Sequence, residues 1–505
     1  MVTGLYPESH GIVDNSVFDL QLSSELEKMR TKKGDPYYGG EPVDDALVMV
    51  DEYMDKLFTA FHKENLLECI NLVIVSDHGM QPLNRSVDIS GHVKEDGLIV
   101  VKGVVTRIHI NDTSISASDV GKELYCTMEN VKVNTKESMP VRKHYSNNHR
   151  IGDFILEGKP GATFDMPFDG GDHGYDYHVE NMHTIMFARG PAFKKNSVAP
   201  AFQNVQYMNL WLTLLGIEDA LPNNGTVGFF DSILKKAPKR VNRECDNFGS
   251  SQVLECQKMP AAEKNKLASK LSSCPLANSF PVYSKDYCYQ SYCENTVIAN
   301  RDPDDCRKAV IEVLNASSEK SSPAFSFLNT KYSIQCPFAN HSSMAFFSAG
   351  STSMSKMADA QFVFPAYFQR KILAPLQQKT QDYTTKYKKL YVISGLATDT
   401  NRDGHADQLA GSPTHFYRIL IRCLDSWVST NPPACKNNRM RSLAFIFPIL
   451  DEHPTLECMD SNEILLDYTA TISDVEQIAG FEFQFGSLSP VENVHLRRNI
   501  TFSLW

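Results

Sequence analysis

The stretch from Val43 to Gly79 constrains the fold more than any other part of the chain. Apolar residues fall at Val43, Ala46, Leu47, Val50, Met54, Leu57, Phe58 and Phe61, a helical spacing, with Asp44 and Asp45 well placed in the first turn. The helix runs straight into the apolar run Ile70-Asn71-Leu72-Val73-Ile74-Val75, which predicts a strand and the helix-to-strand step of a parallel sheet. That strand opens into Asp77-His78-Gly79, and an echo stands further on at Asp172-His173-Gly174. A carboxylate and an imidazole where a strand becomes a loop have the chemistry of metal ligands, placed where open α/β sheets hold their sites, although an isolated Asp-His also serves as a helix cap or a buried hydrogen-bonded pair. Two such groups converging from different strands point to a metal-dependent hydrolase.

Phe154-Ile155-Leu156 and Thr184-Ile185-Met186-Phe187-Ala188 read as further strands, the second closed by Arg189-Gly190-Pro191. Val205, Met208, Leu212 and Leu215 mark a helix that stops at Gly216. Residues 1–234 therefore read as an α/β domain. The polar segment 235–266 opens with Lys235-Lys236-Ala237-Pro238-Lys239-Arg240; lacking interleaved aromatics, it reads as a solvated linker rather than a nucleic-acid patch. Residues 267–505 form a second domain, ending in a helix over Ile472–Gly480 and a strand-like Phe481–Phe485.

At 505 residues the chain is too long for one core. Its net charge of -10 argues against a groove for long polyanions, while small nucleotides held through metal ions stay compatible. Twelve cysteines, seven of them from Cys245 to Cys336, accompany sequons at Asn84, Asn111, Asn224, Asn315, Asn340 and Asn499, which favours an oxidising, extracellular setting. Yet no stretch is apolar enough to span a bilayer, and Met1–Tyr6 lacks a signal-peptide pattern. The body reads as secreted and the front does not, so a missing start is expected.

Tyr6–Asn15, Ser76-Asp77-His78-Gly79-Met80, Gly171-Asp172-His173-Gly174-Tyr175, Gly190-Pro191-Ala192-Phe193-Lys194 and Pro222-Asn223-Asn224-Gly225-Thr226 occur in that order. Together they resemble the ectonucleotide pyrophosphatase/phosphodiesterase family. The resemblance implies an alkaline-phosphatase-like phosphodiesterase domain of α/β class followed by an α+β nuclease-like domain. It also implies a two-zinc site that cleaves small nucleotide phosphodiesters and pyrophosphates through a threonine nucleophile. By that resemblance Asp77 and His78 match ligands of one zinc and His173 a ligand of the other, with Asp172 beside it. The family's nucleophile and first-strand aspartate precede the segment that starts here at Val2, and Thr3 does not take the nucleophile's place.

A second gap is expected near Val43. Asp35–Pro42 resembles an aromatic-Gly-Glu-Pro motif, after which the family continues through an Asp-X-X-X-His segment that supplies further zinc ligands; here the helix follows at once. Asp77 and His78 at one zinc and His173 at the other then remain as a zinc remnant, and neither half-site has the three protein ligands a catalytic zinc needs. The expectation is an inactive chain of a hydrolase family, or alternatively a secreted binding module. Any membrane anchor is expected upstream of Met1. Tyr37 and Tyr38 are candidates for stacking on a base, although packing beside Gly39-Gly40 is the commoner use.

Asp399-Thr400-Asn401-Arg402-Asp403-Gly404-His405-Ala406-Asp407 has calcium-loop spacing, with Asp399, Asn401, Asp403, the His405 carbonyl and Asp407 as ligands. The closing glutamate of a full EF-hand loop is replaced by Ala410. The second domain has no Arg-Gly-His, and Phe362 stands where a metal-binding asparagine is expected, so a scaffold without nuclease chemistry is implied. The resemblance further implies Cys423–Cys435 as a local bridge, Cys126–Cys458 as a clasp, and Cys69 without its partner.

Overall fold

The computed structural model describes residues 1, 3–14, 44–168, 170–217, 222–236, 364–407, 413–426, 435–437, 439–480, 483 and 488–505. It describes the backbone alone of residues 16–17, 27–28, 41–43, 288–292, 296–300, 308–315, 332–333, 361–362, 427–428, 434 and 438. Tyr37, Tyr38, the side chains of Cys245 to Cys336, that of Phe362, residues 237–266 of the expected linker and most of Phe481–Phe485 lie outside the described residues. The chain divides into two compact units: Met1–Met139 with His144–Pro238, and Pro140–Lys143 with Lys239–Trp505.

In the first unit, helices α1 (Pro7–His10) and α2 (Glu41–Lys63) flank a small ribbon of β1 (Ser16–Val17) and β2 (Glu27–Lys28). The strand after α2 is β3 (Leu72–Val75), followed by β4 (Gln81–Pro82), β5 (Arg85–Val87), β6 (Leu98–Val101) and β7 (Val105–Ile110). Helix α3 (Ala117–Leu124), β8 (Val131–Asn134), β9 (Phe154–Gly158), β10 (Ala162–Phe164), β11 (Gly171–Asp172), β12 (Met186–Arg189) and α4 (Tyr207–Leu215) complete it. An antiparallel sheet ordered β6-β7-β9-β8 supplies its main core, where Ile108, Phe154 and Leu156 pack with Val120 and Leu124 of α3.

Here the pairing departs from expectation. Among the described residues β3 pairs antiparallel with β12, Ile74 opposite Phe187, and the parallel pair is β5 with β10. The long excursion after β3 brings the chain back reversed, and the Ser76 N–H bonds the Ile185 carbonyl at the joint. The apolar stripe of α2 forms the expected helix, but it is not buried: Leu47 is 61% and Val50 57% exposed. Phe187 on β12 is 63% exposed. An amphipathic face ordinarily covers a core; this one does not.

The second unit is built on a seven-stranded antiparallel sheet. Its strands, in order across the sheet, are β13 (Cys288–Tyr292), β14 (Thr296–Asn300), β15 (Lys308–Asn315), β18 (Lys389–Ala397), β19 (His415–Cys423), β22 (Met440–Pro448) and β23 (Thr469–Ala470). Two short ribbons stand apart: β16 (Tyr332–Ser333) with β17 (Gln361–Phe362), and β20 (Trp427–Val428) with β21 (Ala434–Cys435). Alternate residues of the central strands feed two cores, as the two-residue period requires. Leu390, Val392, Phe416, Leu420, Leu443, Phe445 and Phe447 face α5 (Ala374–Tyr387) and α6 (Ser461–Asp467). Tyr391, Ile393, Tyr417, Ile419, Ala444 and Ile446 face α7 (Ile472–Ala479) and α8 (Pro490–Arg497). With both faces covered, these strands read as near-continuous apolar runs, a pattern more usual in parallel sheets. The Cys423–Cys435 bridge is formed with its Cα atoms 5.4 Å apart, Cys126 and Cys458 are each disulfide-bonded, and Cys69 is a free, exposed thiol.

Candidate metal centres

Asp77 and His78 sit in the loop that leaves β3. The Asp77 Oδ1 accepts the His78 N–H at 3.0 Å, and Asn204, 127 residues on, donates from Nδ2 to the Asp77 carbonyl at 3.0 Å. His78 Nδ1 lies 2.8 Å from the Gly79 carbonyl. A carbonyl only accepts, so Nδ1 carries the proton, and Nε2 holds the lone pair in the neutral ring. Nε2 is 3.5 Å from Asp77 Oδ2. Gly79 permits this turn by close approach: a Cβ there would meet the Asn181 carbonyl oxygen at 1.8 Å.

His173 enters from the other side. Its strand β11 pairs antiparallel with β4, Asp172 opposite Gln81, so the two Asp-His-Gly loops emerge side by side. The His173 ring stacks on His78 with centroids 3.5 Å apart and planes 17° off parallel. Its own N–H is held by Asp172 Oδ1 at 2.8 Å. Two residues on, the Tyr175 hydroxyl donates to the Ala162 carbonyl at 2.8 Å; burial, then the Asp172 charge, pushes that phenol up.

The structure thus gathers Asp77, His78 and His173, the three residues singled out in the sequence. It does not arrange them as a closed zinc site. The Asp77 side chain is 81% exposed, and among the described residues no three His, Cys, Asp or Glu side chains converge as a metal needs.

Sequence reasoning missed Asn204, whose contact spans too much chain for any local signal. It also missed the use of Glu8. That buried carboxylate accepts the N–H groups of Ser146 (2.8 Å) and Asn147 (3.1 Å) beside His144, whose ring stacks on Tyr6 at 3.6 Å. Burial works upward on Glu8, but the bonds from His144, Ser146 and Asn147 hold it below the usual carboxylate value. Within the Tyr6-Pro7-Glu8 end of the motif, Tyr6 and Glu8 thus tie the chain to His144, Ser146 and Asn147.

The loop after β18 draws its polar side chains onto its own backbone. Asp399 is buried; its two carboxylate oxygens accept the N–H groups of Asp403 and Gly404, each at 3.1 Å. Asp403 Oδ1 accepts the His405 N–H at 2.8 Å, Asn401 Oδ1 accepts that of Asp403 at 3.2 Å, and Asp407 Oδ2 accepts that of Thr400 at 2.6 Å. Gly404, at φ +76°, makes the sharp turn. Burial pushes the Asp399 carboxyl up to about 6, the Asp403 charge adding, against the bond from Gly404. Asp399 and Asp403 thus place like charges close together on one nine-residue loop.

A family model described as type I phosphodiesterase / nucleotide pyrophosphatase matches residues 1–45 and 32–176. The chain is 46% identical to ectonucleotide pyrophosphatase/phosphodiesterase C27A7.3 of Caenorhabditis elegans, over all of this chain and 83% of that protein. It is 40% identical to C27A7.1 of the same organism, over all of this chain and 72% of that one. Identity to ectonucleotide pyrophosphatase/phosphodiesterase family member 1 of Homo sapiens is 24%, over 98% of this chain and 70% of the relative. The matched segments of the family model meet at residues 32–45, and the comparison with C27A7.3 runs over 615 positions against 505 residues here.

Proposed function

This chain belongs to the ectonucleotide pyrophosphatase/phosphodiesterase family, and from that premise we propose that its first unit is the phosphodiesterase half of a hydrolase acting on small nucleotide phosphodiesters and pyrophosphates. Asp77, His78 and His173 are the remnant of its zinc ligands. The observation that carries the reading is their meeting: imidazoles from two separate Asp-His-Gly loops lie ring on ring. Zinc in such a family would neutralise charge on a phosphoryl group during in-line displacement. Of this chain's own residues, Asn204 and the Gly79 carbonyl fix the orientation of Asp77 and His78, and Tyr175 anchors the loop bearing His173.

The 505 residues by themselves are proposed to turn over nucleotide esters negligibly, because these three side chains do not close a metal site. The residues that complete it are assigned to a segment that the relatives carry and this chain passes over near residues 32–45. The two-piece match of the family model supports this, as do the surplus positions in the comparison with C27A7.3 and the exposed stripe of α2. The formed disulfides and the sequons support an extracellular setting. In the second unit the Asp399–Asp407 loop holds structural calcium, and the sheet acts as a scaffold.

A secreted binding module without hydrolysis is the second reading, favoured by the same open donor set. Metal content and turnover of a chromogenic nucleotide ester, measured on this chain and its His78→Ala variant, test both. The expected result is fewer than two zinc ions per chain and no turnover above the variant. Two zinc ions with turnover abolished by His78→Ala would overturn the proposed inactivity.

A further inference from the structure

Asn84, Asn111, Asn224 and Asn499 are the sequon asparagines whose side chains the structure describes. A glycan needs the asparagine Nδ2 and the hydroxyl two residues on at the surface, with room for a bulky polar group. Asn499 meets neither condition: its Nδ2 donates to the Ser442 carbonyl on β22 at 3.1 Å, and Thr501 is buried. Asn84 is exposed but crowded; its Oδ1 accepts from Arg85 Nε at 2.8 Å, and a Cβ on Gly161 would lie 2.7 Å from that oxygen. Asn224 is half-buried, its Oδ1 accepting the Tyr6 N–H at 3.0 Å.

Asn111 differs from all three. It follows β7, and its backbone N–H bonds the Gly97 carbonyl at 3.0 Å, which fixes the turn without using the side chain. Asp112 Oδ1 accepts the Ser114 N–H at 2.8 Å and shapes the next step. Asn111, Asp112 and Thr113 are all exposed, and among the described residues neither the Asn111 amide nor the Thr113 hydroxyl has a hydrogen-bond partner. We propose that Asn111 carries an N-linked glycan and that Asn499 does not, an assignment that rests on the extracellular reading above. Transfer from a lipid-linked oligosaccharide pyrophosphate forms the bond from Asn111 Nδ2 to the anomeric carbon. It breaks that carbon's bond to the pyrophosphate oxygen, and the amide proton leaves with the lipid pyrophosphate.

The test is peptide mass mapping of protein from its native source, enzymatically deglycosylated in heavy-oxygen water. Asn111 is expected as labelled aspartate in most chains and Asn499 as unlabelled asparagine, and Thr113→Ala should erase the Asn111 label. Unlabelled Asn111 in protein whose Cys423–Cys435 bridge is formed overturns the assignment, as does equal labelling of Asn499. Reduced cysteines with no sequon labelled would instead sink the extracellular reading, and the assignment with it.

Discussion

The His78 and His173 rings stack 3.5 Å apart although 95 positions separate them, because β4 and β11 pair and lead their loops out together. On the His78 side the arrangement hangs on Gly79, which lies against the Glu180–Met182 turn and gives its N–H to the Met182 carbonyl at 3.2 Å.

Gly79→Ala should therefore push that turn away. The added methyl would overlap the Asn181 carbonyl oxygen, which is backbone and cannot rotate aside. Overpacking of this kind costs roughly 1–3 kcal/mol. Gly103→Ala is the control, since its nearest neighbour would be the Val105 carbonyl at an ordinary 3.6 Å. Urea midpoints of the two variants should differ, with only Gly79→Ala shifted; equal midpoints would mean the turn yields freely.

Calcium should raise the thermal midpoint of the second unit's transition in the whole chain. Binding to the folded state adds stability as RT ln(1 + [L]/Kd), about 2.7 kcal/mol at a hundredfold excess over Kd. Asp403→Ala removes the Oδ1 that organises His405 and a proposed ligand, and should abolish most of that rise. Calorimetry with calcium and with chelator checks this. An unchanged calcium response in the variant would remove the loop from consideration.

How much of this was legible follows from how local each contact is. The Asp399–Asp407 loop is spelled within nine residues, and its hydrogen bonds connect those residues to one another, so its local turn was legible from spacing. Helix α2 was equally legible as a helix. Its exposure was not, because periodicity identifies an apolar face and says nothing of what meets it. The same limit applies to β3: the apolar run gave a strand, but the antiparallel partner was decided by the distant return of the chain at Ile185. Asn204 at Asp77 and Glu8 at Ser146 are contacts of tertiary structure with no trace in neighbouring residues.

The acid limb of stability should carry the signature of His453. The ring is buried, its Nε2 lies 2.7 Å from the Tyr468 hydroxyl, and its backbone carbonyl accepts from the Tyr367 hydroxyl at 2.6 Å. Burial lowers its pKa from 6.5 to about 4, against the attraction of Asp467. Unfolded, the ring regains its ordinary value, so between those two pH values the unfolded chain binds more protons. Stability is then fully present above 6.5 and is lost as pH falls towards 4, at up to about 1.4 kcal/mol per pH unit. His453→Gln, which does not titrate, should flatten that limb relative to wild type, with chelator present throughout to silence the calcium loop. The direct check is the His453 ring resonance followed by NMR through the titration. A ring that titrates near 6.5 in the folded protein would mean water reaches it and the acid sensitivity lies elsewhere.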